Sequence, residues 1–221
     1  MTWKTMQLAG WGRALRASAE VARPERAGLL PALSAEGPAI GMRRSYGDAM
    51  LNGGGRLIDM TRLDRLLGFD PESGEIEGEG GAQIGDIARA MAPRGWLPAV
   101  MPGTGFATVG GAIANDVHGK NHHGAGSFGQ HVAAITLIRG GEVLTVTPGS
   151  ALFRATMGGL GQTGIIAAAR LWLSPQKSDL MMVTERRVGD WEAHLAALEG
   201  SRAPYCVGWI DATATGTAAP A

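Results

Sequence analysis

Glycine is concentrated in one stretch of this chain, and that stretch limits what the chain can fold into. Residues 102–132, PGTGFATVGGAIANDVHGKNHHGAGSFGQHV, contain eight glycines and four of the chain's five histidines. Glycine makes up 35 of 221 residues, about twice its usual share. A segment with so few bulky side chains adds little to a hydrophobic core. It is therefore either flexible or binds a ligand through its backbone.

A second glycine-rich loop, residues 43–55 (RRSYGDAMLNGGG), follows an apolar strand predicted at residues 38–43. A pyrophosphate needs backbone N–H groups at close range, and side chains obstruct that approach. Ser45, Tyr46, Thr104 and Thr108 add hydroxyl donors, and residues 108–116 (TVGGAIAND) are predicted to form a helix whose first turn faces phosphate. The two loops favour a bound dinucleotide, with two purely structural turns as the alternative.

Three other kinds of site fit the sequence less well. HGKN, residues 118–121, lacks the first glycine and the hydroxyl residue of a phosphate-binding P-loop. GLGQTG, residues 159–164, has the letters of a dinucleotide-binding turn, but a predicted helix precedes it and a predicted strand follows it, the reverse of the required order. His118, His122 and His123 lie among glycines, and although Asp116 is near, no Cys or Glu completes a ligand set. We therefore predict no metal site.

Hydrophobic periodicity mixes helices with adjacent hairpins, which favours an α+β fold over a doubly wound parallel sheet. Residues 1–18 are predicted to be an irregular arm. The predicted helices cover residues 23–33, 83–95, 108–116, 150–159 and 189–200. The predicted strands cover residues 38–43, 56–60, 96–100, 165–175, 179–188 and 206–211, with hairpins at 66–82 and 131–147. We place an N-terminal arm at 1–13, a main domain at 14–175, and the incomplete beginning of another domain at 176–221.

Charge and cysteine content restrict the partners and the compartment. Twenty basic residues balance twenty acidic ones, so the chain has no global attraction to nucleic acid or anionic lipid. Cys206 is the only cysteine, which excludes an internal disulfide and fits a reducing compartment. The first ten residues lack the apolar core of a signal peptide, and no run approaches the roughly 18 apolar residues of a membrane span. We expect a cytoplasmic protein without a nucleic-acid partner and with at most peripheral membrane association.

Several motifs, in matching order and spacing, resemble the flavoproteins of the vanillyl-alcohol oxidase type. They are RSYGD, NGGG, PGT, TVGGAIA, HGKNHH, AGSFG and GGLGQTGII, and they extend from about Trp11 to Pro175. The resemblance implies a PCMH-type FAD-binding domain of two α+β subdomains with the flavin between them, followed by the start of a substrate domain. Some relatives attach FAD covalently through a histidine in the first loop. GMRRSYGD, residues 41–48, has no His or Cys, so the resemblance implies non-covalent FAD.

The resemblance also implies which residues serve the cofactor and the reaction. His118 would lie beside the flavin ring, where the family places substrate. Lys120 would face the same pocket and stabilise the negative charge of a reduced flavin or a substrate phosphate. A solvated loop charge is the alternative for Lys120. The implied FAD contacts are Arg43, Arg44, Ser45, Tyr46, Gly47, Asp48, Asn52, Gly53, Gly103, Thr104, Thr108, Val109, Gly110, Gly111, Asn115, Asp116, Val117, His118 and the backbone of Ile166.

The activity implied by the resemblance is oxidation of a secondary alcohol of a sugar to a ketone, which leaves reduced FAD. HGKNHH and AGSFG are typical of members that act on a prenyl-phosphate ribose, where an NAD-dependent partner reductase completes an epimerisation at the 2′ carbon. An aldonolactone or alditol oxidase that uses oxygen is one alternative, and a non-catalytic flavin-binding fragment is another. Family members are much longer than this chain, so we expect a cofactor module without the C-terminal segment that returns to the flavin.

Overall fold

The computed structural model describes residues 2–213 and contains two β-sheets with short helices. The strands are β1 (Lys4–Ala9), β2 (Arg16–Ala22), β3 (Ala39–Ile40), β4 (Arg56–Asp59), β5 (Leu66–Phe69), β6 (Glu75–Glu79), β7 (Trp96–Pro98), β8 (Val132–Arg139), β9 (Glu142–Val146) and β10 (Ile165–Pro175). The helices are α1 (Leu30–Leu33), α2 (Ile84–Met91), α3 (Val109–Ala114), α4 (His122–Ala125), α5 (Ala151–Thr156) and α6 (Trp191–Glu199). This architecture confirms the predicted α+β class.

The first sheet has four strands in the order β1-β2-β4-β3. β1 and β2 are antiparallel, while β4 runs parallel to both β2 and β3. The irregular conformation predicted for the N-terminal arm is therefore wrong, because β1 pairs with β2 along its whole length. Leu8 of β1 is 2% exposed and packs with Val21, Ile40 and Leu57. The limits predicted for the three domains stay a prediction.

The second sheet has six strands in the order β5-β6-β10-β8-β9, with β7 also pairing with β10. All of these pairs are antiparallel. The β8–β9 hairpin turns at Gly140 and Gly141, whose φ angles of 57° and 84° are typical of glycine in a tight two-residue turn. Helices α2 and α3 pack against this sheet through buried aliphatic side chains such as Ile84 and Ile113, and so form the larger core.

Some predicted elements are shorter or absent. The helix predicted over residues 23–33 is a 3-10 turn at Ala27–Leu29 followed by α1, and the strand predicted over 38–43 is reduced to β3. The strands predicted at 179–188 and 206–211 are wrong, since neither pairs with another strand in the described part of the chain. Met182 and Trp209 are 99% and 82% exposed. A strand needs a neighbour for its N–H and C=O groups, which periodicity alone does not provide.

The remaining predicted elements are confirmed. They include the hairpin of β5 and β6, the strands β7 and β10, and the helices α2, α3, α5 and α6. The predicted serine cap is present, because Ser150 Oγ accepts a hydrogen bond of 3.1 Å from the Phe153 N–H at the start of α5. Among residues 2–213, no helix combines the length and the apolar character that a bilayer crossing requires.

Glycines let the two sheets meet closely enough to form a site. A Cβ at Gly41, just after β3, would overlap the Thr108 hydroxyl that caps α3. A Cβ at Gly81, just after β6, would overlap the Met60 carbonyl that follows β4. A side chain at Gly41 would therefore displace the Thr108 side chain, and one at Gly81 would require movement of the neighbouring backbone. The loop after β3 and the N-terminus of α3 are thereby held side by side.

A buried carboxylate joins the second sheet to the loop before it. Glu79, at the end of β6, is 2% exposed, and its carboxylate accepts hydrogen bonds from the Arg65 N–H, Nε and Nη2. Burial acts to raise the pKa of Glu79, but the hydrogen bonds and the charge of Arg65 together outweigh burial and hold the pKa below its ordinary value. The ionised carboxylate therefore stabilises the folded chain.

We expect Glu79→Gln to lower the free energy of unfolding by about 1–2 kcal/mol at neutral pH, because the charge-assisted bonds to Arg65 are lost. A carboxyl with a lowered folded pKa stabilises above its unfolded pKa of about 4.3 and loses that contribution as the pH falls through the folded value. The difference between the variant and the unchanged chain should therefore shrink below pH ~4. Urea unfolding of both proteins at several pH values measures this difference in unfolding free energy.

Glu77→Gln is the matched control, because Glu77 lies on the same strand and forms no ion pair among the described residues. The control should leave the unfolding free energy nearly unchanged at every pH. Equal losses in the two variants would show that the Glu79–Arg65 pair contributes nothing specific.

Candidate functional site

A cavity of about 550 Å³ lies where the two sheets meet. Its wall contains the loop after β3, the loop before α3, the first turns of α3, and the segment that leads into β10. The predicted site residues in this wall are Arg43, Arg44, Ser45, Tyr46, Gly103, Thr104, Thr108, Gly110, Gly111, Asn115, Val117, His118 and Ile166. The structure thus brings the two glycine-rich loops of the sequence to one cavity.

Other predicted residues lie outside the wall. They are Gly47, Asp48, Asn52, Gly53, Val109, Asp116 and Lys120. Asn52 donates to the Arg56 carbonyl, Val109 is fully buried in the core, and the Asp116 carboxylate accepts from the Ser127 hydroxyl and the Gly129 N–H. These contacts give Asn52, Val109 and Asp116 structural roles. Their predicted contact with a cofactor stays a prediction.

The first turn of α3 does not offer free N–H groups to a phosphate, contrary to the expectation from its sequence. The Val109 and Gly110 N–H groups donate to the carbonyls of Ala82 and Gly80 at 2.8 Å, and the Gly111 N–H donates to Thr108 Oγ1 at 3.1 Å. The donors of this helix end are therefore used to attach α3 to the second sheet. Gly110 and Gly111 contribute a wall without side chains rather than hydrogen bonds.

The free backbone donors lie in the two loops instead. Among the described residues, none of the N–H groups at positions 43–47 or 103–105 donates to a protein acceptor. Arg43 and Gly47 have φ angles of 56° and 59°, so the first loop turns through left-handed conformations. Successive N–H groups in such a turn form a concave cradle for an anion. This arrangement fits the pyrophosphate of the predicted dinucleotide.

Arg44 provides the clearest unmet hydrogen-bonding group in the wall. Its guanidinium carbon lies 5.7 Å from the centre of the Trp11 ring and 5.2 Å from that of Phe106. Its Nε is buried and has no hydrogen-bond partner in the described chain. A buried donor without a partner costs about 1–3 kcal/mol, so its position at the wall indicates an acceptor supplied by a ligand. Sequence analysis did not assign Trp11 or Phe106 to the site.

The reversed GLGQTG motif also reaches the cavity. It lies between α5 and β10, as expected, and Leu160, Gly161 and Gly164 line the wall. Leu160, Gly161 and Gly164 have φ angles of 51°, 76° and 145°. The glycines were visible in the sequence, but their place in the wall depends on the position of β10. Ala49 and Met50, inside the first glycine-rich loop, also line the wall. The other wall residues missed were Trp11, Ala39, Ile40, Gly41, Met42, Met60, Gly80, Pro102, Ala107 and Ala114.

The two residues predicted to be catalytic lie in different places. His118 is exposed and lines the cavity, with its ring 5.4 Å from that of His122. Lys120 does not line the cavity, and its Nζ lies 5.8 Å from the centre of the Trp209 ring. Among the described residues, His118 is the only His or Cys that lines the wall. The catalytic roles, the absence of a metal and the non-covalent attachment all stay predictions.

The chain resembles known proteins in the region that forms this cavity. Residues 39–147 match a family model described as an FAD binding domain. Decaprenylphosphoryl-beta-D-ribose oxidase of Mycolicibacterium smegmatis is 39% identical over 94% of this chain and 48% of its own length. D-arabinono-1,4-lactone oxidase of Yarrowia lipolytica and L-gulono-1,4-lactone dehydrogenase of Mycobacterium tuberculosis are 26% and 28% identical, over 69% and 62% of this chain and 32% of each relative. The chain thus spans about half or less of these curated relatives.

The matched region contains both glycine-rich loops, α3 and His118. The wall they form combines free N–H groups, an unpartnered arginine donor and apolar side chains such as Met42 and Ile166. These are the groups that a diphosphate and a flat aromatic ring system require. FAD is the cofactor of this site, and residues 39–147 belong to the family of FAD binding domains that this model describes.

Proposed function

We propose that this chain is the FAD-binding part of an oxidoreductase that oxidises a secondary alcohol of a sugar, with a prenyl-phosphate ribose as the substrate. The supporting observation is the relative with 39% identity over 94% of this chain, whose name describes a decaprenylphosphoryl-ribose oxidase. HGKNHH, residues 118–123, belongs to this stretch and begins in the cavity wall at His118.

Bound FAD supplies the hydride acceptor, so that the alcohol carbon loses a hydride, the hydroxyl loses a proton to a base, and a ketone results. The residues of this chain bind the cofactor and orient it and the substrate. The N–H groups at 43–47 and 103–105 would cradle the diphosphate, and Arg44 Nε would donate to it. The glycines of α3 let the ligand approach the backbone closely. His118 lines the cavity wall and would contact the substrate.

The second candidate is an oxidase of a sugar lactone. Two relatives named for lactone substrates, at 26% and 28% identity, favour it. They match this chain less closely than the decaprenylphosphoryl-ribose oxidase does. The substrate distinguishes the two candidates, since both reactions use the same cofactor site.

The test mixes the FAD-loaded chain, without oxygen, with a prenyl-phosphate ribose in one sample and an aldonolactone in another. We expect the yellow absorbance of the flavin to bleach with the first substrate and to persist with the second. Bleaching by the lactone alone would establish the second candidate. Bound FAD that bleaches with neither substrate would identify this chain as a flavin-binding fragment without catalysis, the other alternative raised by the sequence, and would overturn both substrate assignments. In a separate sample of the FAD-loaded chain, denaturation should release all of the flavin into solution if the attachment is non-covalent.

A further inference from the structure

A second concavity, of about 650 Å³, lies beside the FAD cavity. It is formed by the turn between β1 and β2 and by the start of the first glycine-rich loop. Four arginines line it, namely Arg13, Arg16, Arg43 and Arg44, and we call it the arginine groove. The other lining residues are Ala9, Gly10, Trp11 and Met42, so no carboxylate lines the groove within residues 2–213.

The arginine groove concentrates positive charge that the rest of the chain does not neutralise. None of its four arginines forms an ion pair among residues 2–213, and none of the residues that line the groove is acidic. The whole chain has equal numbers of basic and acidic residues, so the cluster does not follow from composition. Like charges in one concave wall repel each other and focus the field on any anion that enters.

The shape of the donors also indicates a bound anion. The guanidinium groups of Arg13 and Arg16, which do not line the FAD cavity, present planar pairs of N–H donors, a geometry that matches the oxygens of a phosphate group. A single carboxylate carries one negative charge, which would leave most of the charge of the four arginines unneutralised. A phosphate or diphosphate carries more negative charge and therefore fits the groove better.

We propose that the arginine groove binds a phosphate group separate from the diphosphate of FAD. Arg13 and Arg16 define this second site, because they line the groove and do not line the FAD cavity. Trp11 and Leu15, which are 53% and 52% exposed, lie in the same turn and place apolar surface beside the charges. A phosphate that carries an apolar substituent fits both features, whether it belongs to a soluble phosphoester or to a lipid headgroup.

The experiment uses the FAD-saturated chain and two probes. The first is inorganic pyrophosphate, followed by calorimetry while flavin absorbance confirms that FAD stays bound. The second is a set of phosphatidylcholine vesicles with and without phosphatidylglycerol, followed by co-sedimentation. The variant Arg13→Gln/Arg16→Gln removes two charges from the groove. The control Arg139→Gln/Arg154→Gln removes two charges outside both concavities.

We expect the groove variant to bind pyrophosphate or the anionic vesicles at least about tenfold more weakly, since each lost arginine removes charge-assisted hydrogen bonds. The control variant should bind as the unchanged chain does. The probe that responds identifies the source of the phosphate. Equal losses in both variants, or no binding of either probe, would overturn the proposal. So would an equal loss of FAD affinity and probe affinity in the groove variant, because the groove would then be part of the FAD site.

Discussion

Gly103→Val is expected to lower the affinity for FAD by at least about 100-fold, which corresponds to ~3 kcal/mol. Gly103 lies in the cavity wall, within the loop whose N–H groups have no protein acceptor. A Cβ at this position would meet no protein atom within 4 Å, so the valine occupies space that the ligand needs rather than space in the core. Quenching of flavin fluorescence measures the affinity, and the melting temperature of the FAD-free chain should change little.

Gly68→Val is the matched control for this experiment. Gly68 lies on β5, a Cβ there also meets nothing within 4 Å, and the position is outside the cavity wall. Valine favours strands, so this variant should fold as well as the unchanged chain and retain its FAD affinity. Full FAD affinity in Gly103→Val would show that the cofactor does not use this wall, and the assignment of the cavity would be wrong.

The presence of the two loops could be predicted from the sequence because it depends on local composition. Glycine spacing and the strands before the loops indicated backbone binding, and the cavity wall contains both loops. The hairpins, the Ser150 cap and the short helix α3 were equally local, since turn glycines, a capping hydroxyl and small apolar residues each act within a few positions.

The hydrogen-bond partners of the N–H groups at the start of α3 could not be predicted, because they come from a distant part of the chain. Sequence analysis placed phosphate at the first turn of α3, yet the Val109 and Gly110 N–H groups donate to carbonyls at the end of β6, nearly thirty residues earlier. The position of β6 relative to α3 follows from its pairing with β10, which no local pattern reveals. The same holds for Trp11, which reaches Arg44 only because β1 and β2 form a hairpin.

The strands predicted beyond β10 failed for a related reason. Residues 179–188 and 206–211 alternate or cluster apolar side chains as strands do, but pairing requires a neighbouring strand at the correct distance. Among the described residues no such neighbour exists, and Leu180 and Met182 are 85% and 99% exposed. Apolar periodicity indicates that a segment can form a strand, and only the rest of the sheet decides whether it does.

Gly80→Ala is expected to lower the free energy of unfolding by about 3 kcal/mol, because the added methyl group overpacks a site bounded by main chain. A Cβ at Gly80 would overlap the Ile166 carbonyl oxygen of β10, and backbone atoms within a sheet cannot move aside as a flexible side chain does. The Gly80 carbonyl also accepts the Gly110 N–H at 2.8 Å, so displacement of Gly80 loosens α3 as well. We therefore expect weaker FAD binding together with a lower urea midpoint.

Gly78→Ala separates this collision from the general effect of replacing a buried glycine in or next to β6. Gly78 is buried in β6, but its Cβ would meet the Ala82 and Leu66 side chains at 3.6 Å and the Arg65 carbonyl oxygen at 3.9 Å, all ordinary packing distances. Alanine restricts the unfolded chain more than glycine does, so this variant should be as stable as the unchanged chain or slightly more stable. A similar loss in both variants would mean that β6 rejects any side chain. A loss confined to Gly80 would show that the close approach of β6 to β10 fixes α3 against the FAD cavity.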